Sequence, residues 1–435
     1  MMEAYNHAYQ KGLTSSIQRG KVWFVMKKAI HYGWVIVVVG VLVKMTSLGF
    51  GRFAYPMLLP SMRESLLFNY GEMGLLSGAM MLGYLLFSLI GGMLATRFGP
   101  KRIVVASLLC GALSMFFMGR LSGFSPLLFF SFAMGAGAAG AHISITTLPM
   151  VWFEERKLGR AVGVVTGGTG LGIIVTGLLL PYLLLRLGKE GWRPCWVLLA
   201  LITFLVALLG SVFLKERPNP RPFITPGLDQ EKKPHFIKRE GDELKLKAIF
   251  IIYFIFGFSY NIYATYFVAY MIEEIRLTAK MAGDIWAIFG WMCTGSGLIW
   301  GYLSDRLGRR RAMLWNNGII SLSVLLPLLF HQPFFMGISA FLFGGTFLGM
   351  VTVVAASVGD RIGEKRASVY GLVTLIHGIG QFLGTISGGY LKDVTASFQL
   401  TLTVSLTGFL LCILLTVRNK KRVREFSPLN SLRTP

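Results

Sequence analysis

The chain has 435 residues, of which 54% are hydrophobic and only 14% charged, where a soluble protein carries about one-quarter charged residues. Length alone suggests two or three soluble domains; hydropathy excludes them, because the apolar residues come in blocks of about 20, the length that crosses a hydrocarbon core. The net charge of +23 would suit nucleic acid, but its distribution excludes that partner: with a cytoplasmic amino terminus, 33 of the 43 Lys+Arg fall on the cytoplasmic side, eight on the other and two inside the first apolar run. This is the positive-inside bias, and it places both termini in the cytoplasm.

Residues 1–25 have no continuous apolar core and so are not a signal peptide. Met26 opens MKKAIHYGWVIVVVG, two lysines followed by a helix. A cytoplasmic tail is expected over 1–32, with the part before Met26 either a mobile tail or a mis-called start. Twelve apolar runs follow, at about 33–57, 72–95, 102–119, 126–152, 160–185, 193–214, 246–272, 281–303, 312–330, 334–357, 367–390 and 397–417. They read as helices, because the ten-residue alternation of a membrane barrel is absent. The expected fold is an all-α membrane protein with twelve transmembrane helices in two pseudo-symmetric six-helix halves. The halves would span 33–214 and 246–418, joined by a cytoplasmic linker over 215–245 and closed by a basic cytoplasmic tail over 419–435.

The first run ends in GFGRFAYPMLLP and carries Lys44 and Arg52, with Tyr55 just beyond. A charged lysine or arginine in mid-membrane costs roughly 3 kcal/mol, so it faces a cavity or a partner. Lys44 lies ten residues after Trp34, about 15 Å deep, and Arg52 about 12 Å further along. As a regular helix, the eight-residue separation turns them about 80° apart, close enough to flank one cavity. The alternatives are snorkelling to the outer headgroups for Arg52 and a neutral or carbonyl-bonded state for Lys44. No Asp or Glu lies deep in any run: Glu72 and Asp284 sit near helix ends, and the other acids are in loops and tails. A buried cation without a partner is expensive, and a bound anion relieves that cost. The expected cargo is therefore a small organic anion, of carboxylate type.

Further along, the second run leads into GGMLATRFGPKR (91–102), the fourth holds His142 and GAGAAGA (135–141), and the fifth holds GGTGLG (167–172). The last has no preceding strand and fails the context of a dinucleotide loop; small residues there let helices pack closely. The linker from Lys215 to Lys247 holds nine Lys+Arg, six Asp+Glu and five prolines, with a short amphipathic helix expected near Asp242 to Lys247. The seventh run is tyrosine-rich, with Tyr253, Tyr260, Tyr263, Tyr266 and Tyr270. GYLSDRLGRRR (301–311) follows the eighth, and the eleventh holds His377 and, one turn on, Gln381. Either histidine could relay a proton or simply bond a carbonyl. Cys110, Cys195, Cys293 and Cys412 lie in four different runs and read as packing residues. The tail RNKKRVR (Arg418 to Arg424) suits anionic lipid headgroups.

The halves repeat. At an offset of 209, Gly92, Arg97 and Gly99 match Gly301, Arg306 and Gly308; at 208, Gly163, Val165, Thr166, Gly170 and Gly172 find identical residues at 371–380. The same offset pairs Arg52 with Asn261, so Tyr260, Asn261 and Tyr263 are candidates to face Arg52. A membrane chain of two similar six-helix halves is an architecture of secondary transporters, with the site between the halves.

GYLSDRLGRRR resembles the G-x-x-x-D-R-x-G-R-R/K loop of the major facilitator superfamily, and the two-half pattern extends the resemblance over nearly the whole chain. FGRFAYP…LLP, GLLSGAMMLGYLLFSLIGG, FGFSYNIYATYFVAY, FGGTFLGM and HGIGQFLG look like the YbfB/YjiJ-type branch; Thr385 stands where relatives often place proline, which would soften that helix. The resemblance implies a bacterial-type inner-membrane secondary transporter that works by alternating access, with helices one, four, seven and ten lining its cavity. It implies a cytoplasmic latch between the halves built from Gly92, Arg97, Gly99, Gly301, Asp305, Arg306, Gly308 and Arg309. Gly301 would allow close helix approach and Gly308 a tight turn. Thr96 replaces the acid in the first copy, so Asp305 is expected to carry most of the latch. The substrate-binding set is Lys44, Arg52, Tyr55, His142, Tyr260, Asn261, Tyr263, His377 and Gln381. The partners expected are a small anionic molecule, protons and membrane lipid, but no nucleic acid; a monomer is expected, and no cofactor, metal or enzymatic activity. Efflux of hydrophobic or cationic compounds, and a substrate sensor that does not transport, are the alternatives.

Overall fold

The computed structural model describes residues 31–216, 246–360 and 366–419. The expectations about a start at Met26, most of the linker and its short helix, and the basic tail beyond Asn419 lie outside the described residues. Among the described residues, twelve helices account for the fold. The first, α1 (Gly33–Leu66), is followed by α2 (Tyr70–Phe98), α3 (Pro100–Met118), α4 (Phe124–Trp152), α5 (Glu155–Leu187) and α6 (Trp192–Phe213). The second six are α7 (Leu246–Glu273), α8 (Ala279–Leu307), α9 (Arg309–Leu329), α10 (Pro333–Gly359), α11 (Arg366–Thr395) and α12 (Phe398–Arg418).

Ten of these helices are long and apolar enough to cross a membrane. The other two, α8 and α11, have 29 and 30 residues, about 44 Å at 1.5 Å per residue against a core of about 30 Å. Polar residues in mid-helix face protein: Ser296 donates to the Gly345 carbonyl, and His377, Gln381 and Thr385 are buried. Of the four cysteines, Cys110 is exposed while Cys195, Cys293 and Cys412 are buried.

The six-helix pattern repeats. In the first half α1 packs on α5, α2 on α4 and α3 on α6; in the second α7 packs on α11, α8 on α10 and α9 on α12. The repeated glycines close equivalent turns: Gly99 and Gly308 have φ of 91° and 90° and precede α3 and α9, a conformation glycine adopts without strain. The halves meet along two seams, α5 on α8 and α2 on α11. Gly170 lies against the Gly290 carbonyl and Thr294, Gly177 against Gly283 and Ala287, and Gly74 against the Thr385 carbonyl.

Gly33 and Arg418 mark the terminal face of the bundle, and the loops at 67–69 and 274–278 the far face. At the far face the halves are tied. Arg63 pairs with Glu273 at 3.3 Å, and the Asp393 carboxylate accepts from the Tyr70 and Gly71 N–H groups, at 2.8 and 2.6 Å, at the start of α2. Towards the terminal face the glycine contacts across the seams end at Gly163 with Leu298 and Gly378 with Leu85; a Cβ on Gly92 or Gly371 would meet nothing.

The loop after α8 bonds within its own half. Arg309 pairs with Asp305 at 2.5 Å and with Asp360 at 2.8 Å, and donates to Ser304 Oγ at 2.6 Å. Arg306 lies over the Tyr302 ring and Arg97 over Phe98, and Thr96 Oγ1 donates to the Gly92 carbonyl. Gly301 does not mark the close approach expected of it: a Cβ there would make ordinary contact with Thr352 of α10.

Candidate functional site

The first helix is not one regular cylinder. It runs as α-helix over Gly33–Lys44, widens to a π-turn over Met45–Phe50, turns at 51–54 and resumes over Tyr55–Leu66 with Pro60 inside. Gly51 N–H donates to the Thr46 carbonyl and Phe53 N–H to that of Leu48, each five residues back. The regular 80° separation of Lys44 and Arg52 therefore does not hold. The wide turn nests on α5, where Gly168 faces Lys44 Cβ and Gly172 faces Gly49. Glycines on α5 let α1 approach to backbone contact, and π-turns of this kind recur at functional sites.

Lys44 is 1% exposed. Its Nζ lies 2.6 Å from Nδ1 of His142 on α4, with Nε2 at 3.4 Å. Lys44 and His142 thus bond each other rather than main-chain carbonyls, and the contact is open to a neutral or a charged Lys44.

Arg52 is half-buried and reaches the other half. Its Nη2 donates to Tyr260 Oη, to Asn261 Oδ1 at 3.2 Å and to Gln381 Oε1 at 2.8 Å. All three acceptors are neutral. Asn261 Nδ2 donates to the Gln381 carbonyl at 3.1 Å and to Thr385 Oγ1, which turns its Oδ1 towards Arg52. Thr385 Oγ1 also donates to the Gln381 carbonyl at 3.0 Å, so this threonine ties α11 to α7. Repeat-equivalent Arg52 and Asn261 touch each other, so the pseudo-twofold relation between the halves passes through this contact.

The remaining candidates lie elsewhere. Tyr55 Oη donates to the Met73 carbonyl at 2.7 Å, fastening α1 to α2. Tyr263 bonds Ser339 at 2.6 Å and stacks on Phe343, inside the second half. Tyr266 and Tyr270 spend their hydroxyls on the carbonyls of Thr385 and Pro327. His377 Nδ1 lies 3.0 Å from the Tyr253 carbonyl, and its ring stacks on Tyr253 at 3.9 Å; this is the carbonyl-bonded state. Of the five tyrosines on α7, Tyr260 is the one that bonds Arg52. Sequence reasoning missed the Lys44–His142 contact, which joins residues 98 apart, and the part of Thr385. An apolar groove of about 550 Å³ opens between α8 and α10, lined by Met281, Ile285, Phe334 and Phe341; its exposed walls suit lipid.

The family model described as "Uncharacterised MFS-type transporter YbfB" matches residues 44–417. The chain belongs to the major facilitator superfamily. It is therefore a multi-pass membrane transporter and not an enzyme. It is 26% identical over 376 residues to a hexuronate transporter of Bacillus subtilis (strain 168), covering 80% of this chain and 85% of that one. It is 22% identical to a probable sulfoacetate transporter, SauU, of Cupriavidus necator, covering 80% and 84%. Among solved structures, a bacterial homologue of the human lysosomal transporter Spinster matches with a TM-score of 0.68 at 15% identity, covering 91% of this chain and all of that one.

Proposed function

We propose that this superfamily member carries a small organic anion of carboxylate type by alternating access, coupled to protons, with Arg52 as the anchor for the negative group. One observation carries the reading: a half-buried guanidinium lies between the halves, held by three neutral oxygens. A cation taken out of water needs its charge answered. All three protein acceptors fall on Nη2, which leaves Nη1 and Nε for ligand oxygens, and guanidinium–carboxylate bonds are among the stronger ones available. The named cargoes of the hexuronate and sulfoacetate relatives agree in sign. A cationic efflux substrate would want an acid beside it, and Arg52 occupies that position instead.

In this reading the terminal face is cytoplasmic, in line with the excess of Lys+Arg on that side. The tied far face and the open surroundings of Gly92 and Gly371 then correspond to an inward-facing state. The intra-half pairing of Asp305 with Arg309 and Asp360 is the released form of the latch, which engages the other half when the cytoplasmic side closes.

Thermal stabilisation and proteoliposome flux of the purified protein would test the reading against glucuronate, sulfoacetate, tartrate, nitrate and a cationic dye. Stabilisation and flux by the carboxylates is the expected result. Response to the dye alone would overturn the anionic cargo and favour efflux.

A further inference from the structure

Lys44 and His142 are the charge-bearing pair the anchor does not use. The 2.6 Å between Nζ and Nδ1 is a hydrogen bond, and a hydrogen bond between two nitrogens needs one of them to offer a lone pair. Each nitrogen here can play either part. A protonated Lys44 donates to a neutral imidazole, or a neutral imidazole donates from Nδ1 to a neutral amine. The pair therefore holds one positive charge or none, and its geometry fits both.

The surroundings favour neither by pairing. Lys44 packs under Gly168 of α5, the Tyr84 ring of α2 lies 6.2 Å from the His142 ring, and Arg52 is the other charge acting on His142. None of these contacts brings a carboxylate. Lys44 is sealed, whereas His142 is partly exposed, so the imidazole is the more accessible end of the pair. His377 has no comparable freedom, because its Nδ1 is committed to the Tyr253 carbonyl.

Resting on the anion reading, we propose that Lys44 and His142 share one exchangeable proton and form the site that carries the coupling proton. The proton passes from Lys44 Nζ to His142 Nδ1, and the imidazolium so formed releases its Nε2 proton to water. This leaves a neutral amine accepting from Nδ1–H, and the net change is the loss of one proton and one positive charge. With the proton on, the pair adds to the positive field of Arg52 and favours the anion; with it off, that help disappears. By linkage the anion holds the proton as firmly as the proton holds the anion, so the two load and leave together, which is symport. Anion affinity should weaken on the order of tenfold between the protonated and deprotonated pair.

The test uses full-length protein in proteoliposomes, with glucuronate, sulfoacetate and tartrate as probes. Wild-type protein should accumulate a probe down a proton gradient and bind it more weakly as pH rises. His142→Gln should lose gradient-driven accumulation at least tenfold more than it loses anion exchange without a gradient, and its affinity should no longer vary with pH. Lys44→Met should do the same. Unchanged pH dependence in both variants, or its loss in His377→Gln instead, would overturn the assignment. A ligand-free readout separates the two readings: the ¹⁵N resonances of His142 should titrate differently in Lys44→Met. If no probe binds the wild type, the anion reading fails, and that titration still decides whether the proton is shared; identical titration in the variant would end the proposal.

Discussion

Lys44 and Arg52 share a helix and a charge, yet their surroundings differ in kind. Lys44 turns into its own half, sealed under α5, and its partner His142 belongs to the same half. Arg52 lies past the π-turn and spends its bonds on α7 and α11 of the other half. In the proposed alternating-access cycle a contact within one half is kept while a contact between the halves has to be remade. In that cycle the cation at the seam would feel which way the protein is open, and the cation inside one half would hold its charge throughout.

The largest effect expected from this difference is at the seam. Arg52→Gln should cut anion flux by about 100-fold, the order found when one member of a buried charged contact is removed. Arg52→Lys should recover little, because an ammonium cannot keep three acceptors and still offer planar donors to a ligand. Flux that survives in Arg52→Gln but vanishes in Lys44→Gln would invert the comparison. Next in size, Asn261→Ala removes an acceptor from a charged donor, a bond typically worth about 2 kcal/mol, and should raise KM about 30-fold in an uptake assay. Thr385→Val acts only through the orientation of Asn261 and should raise KM a few-fold. The smallest effect belongs to Tyr263→Phe. Its hydroxyl serves Ser339 inside the second half, so unfolding measurements should show a loss of about 1 kcal/mol with flux retained.

Much of this was legible in the sequence because it rests on the two strongest local signals, apolar run length and glycine in turns. Each of the later eleven runs falls within about five residues of its helix. The first was read as ending at 57 and continues to Leu66, because SMRES looks like loop and Pro56 and Pro60 look like breakers. The internal repeat was enough to bring Arg52 and Asn261 together. It could not separate Tyr260 from Tyr263, three residues apart, because which of them faces the seam depends on Ser339 and Phe343 from α10. The π-turn left no periodic trace, since it depends on Gly49 meeting Gly172 of another helix. His142 was legible as a titratable group in a membrane segment, and its partner was not: no pattern along a chain ties residue 44 to residue 142.

Where α5 crosses α8, and again where α2 meets α11, glycine after glycine presents bare main chain to the opposite half. Interlocking side chains would act as cogs, and each step of rotation would have to lift them out of their sockets. In the proposed cycle a rail of this kind adds few such detents at the pivot, and the choice between open and shut falls to the polar contacts between the halves. A methyl added at Gly170 or Gly290 would then behave as grit in a bearing, slowing the swing while leaving the cargo pocket untouched.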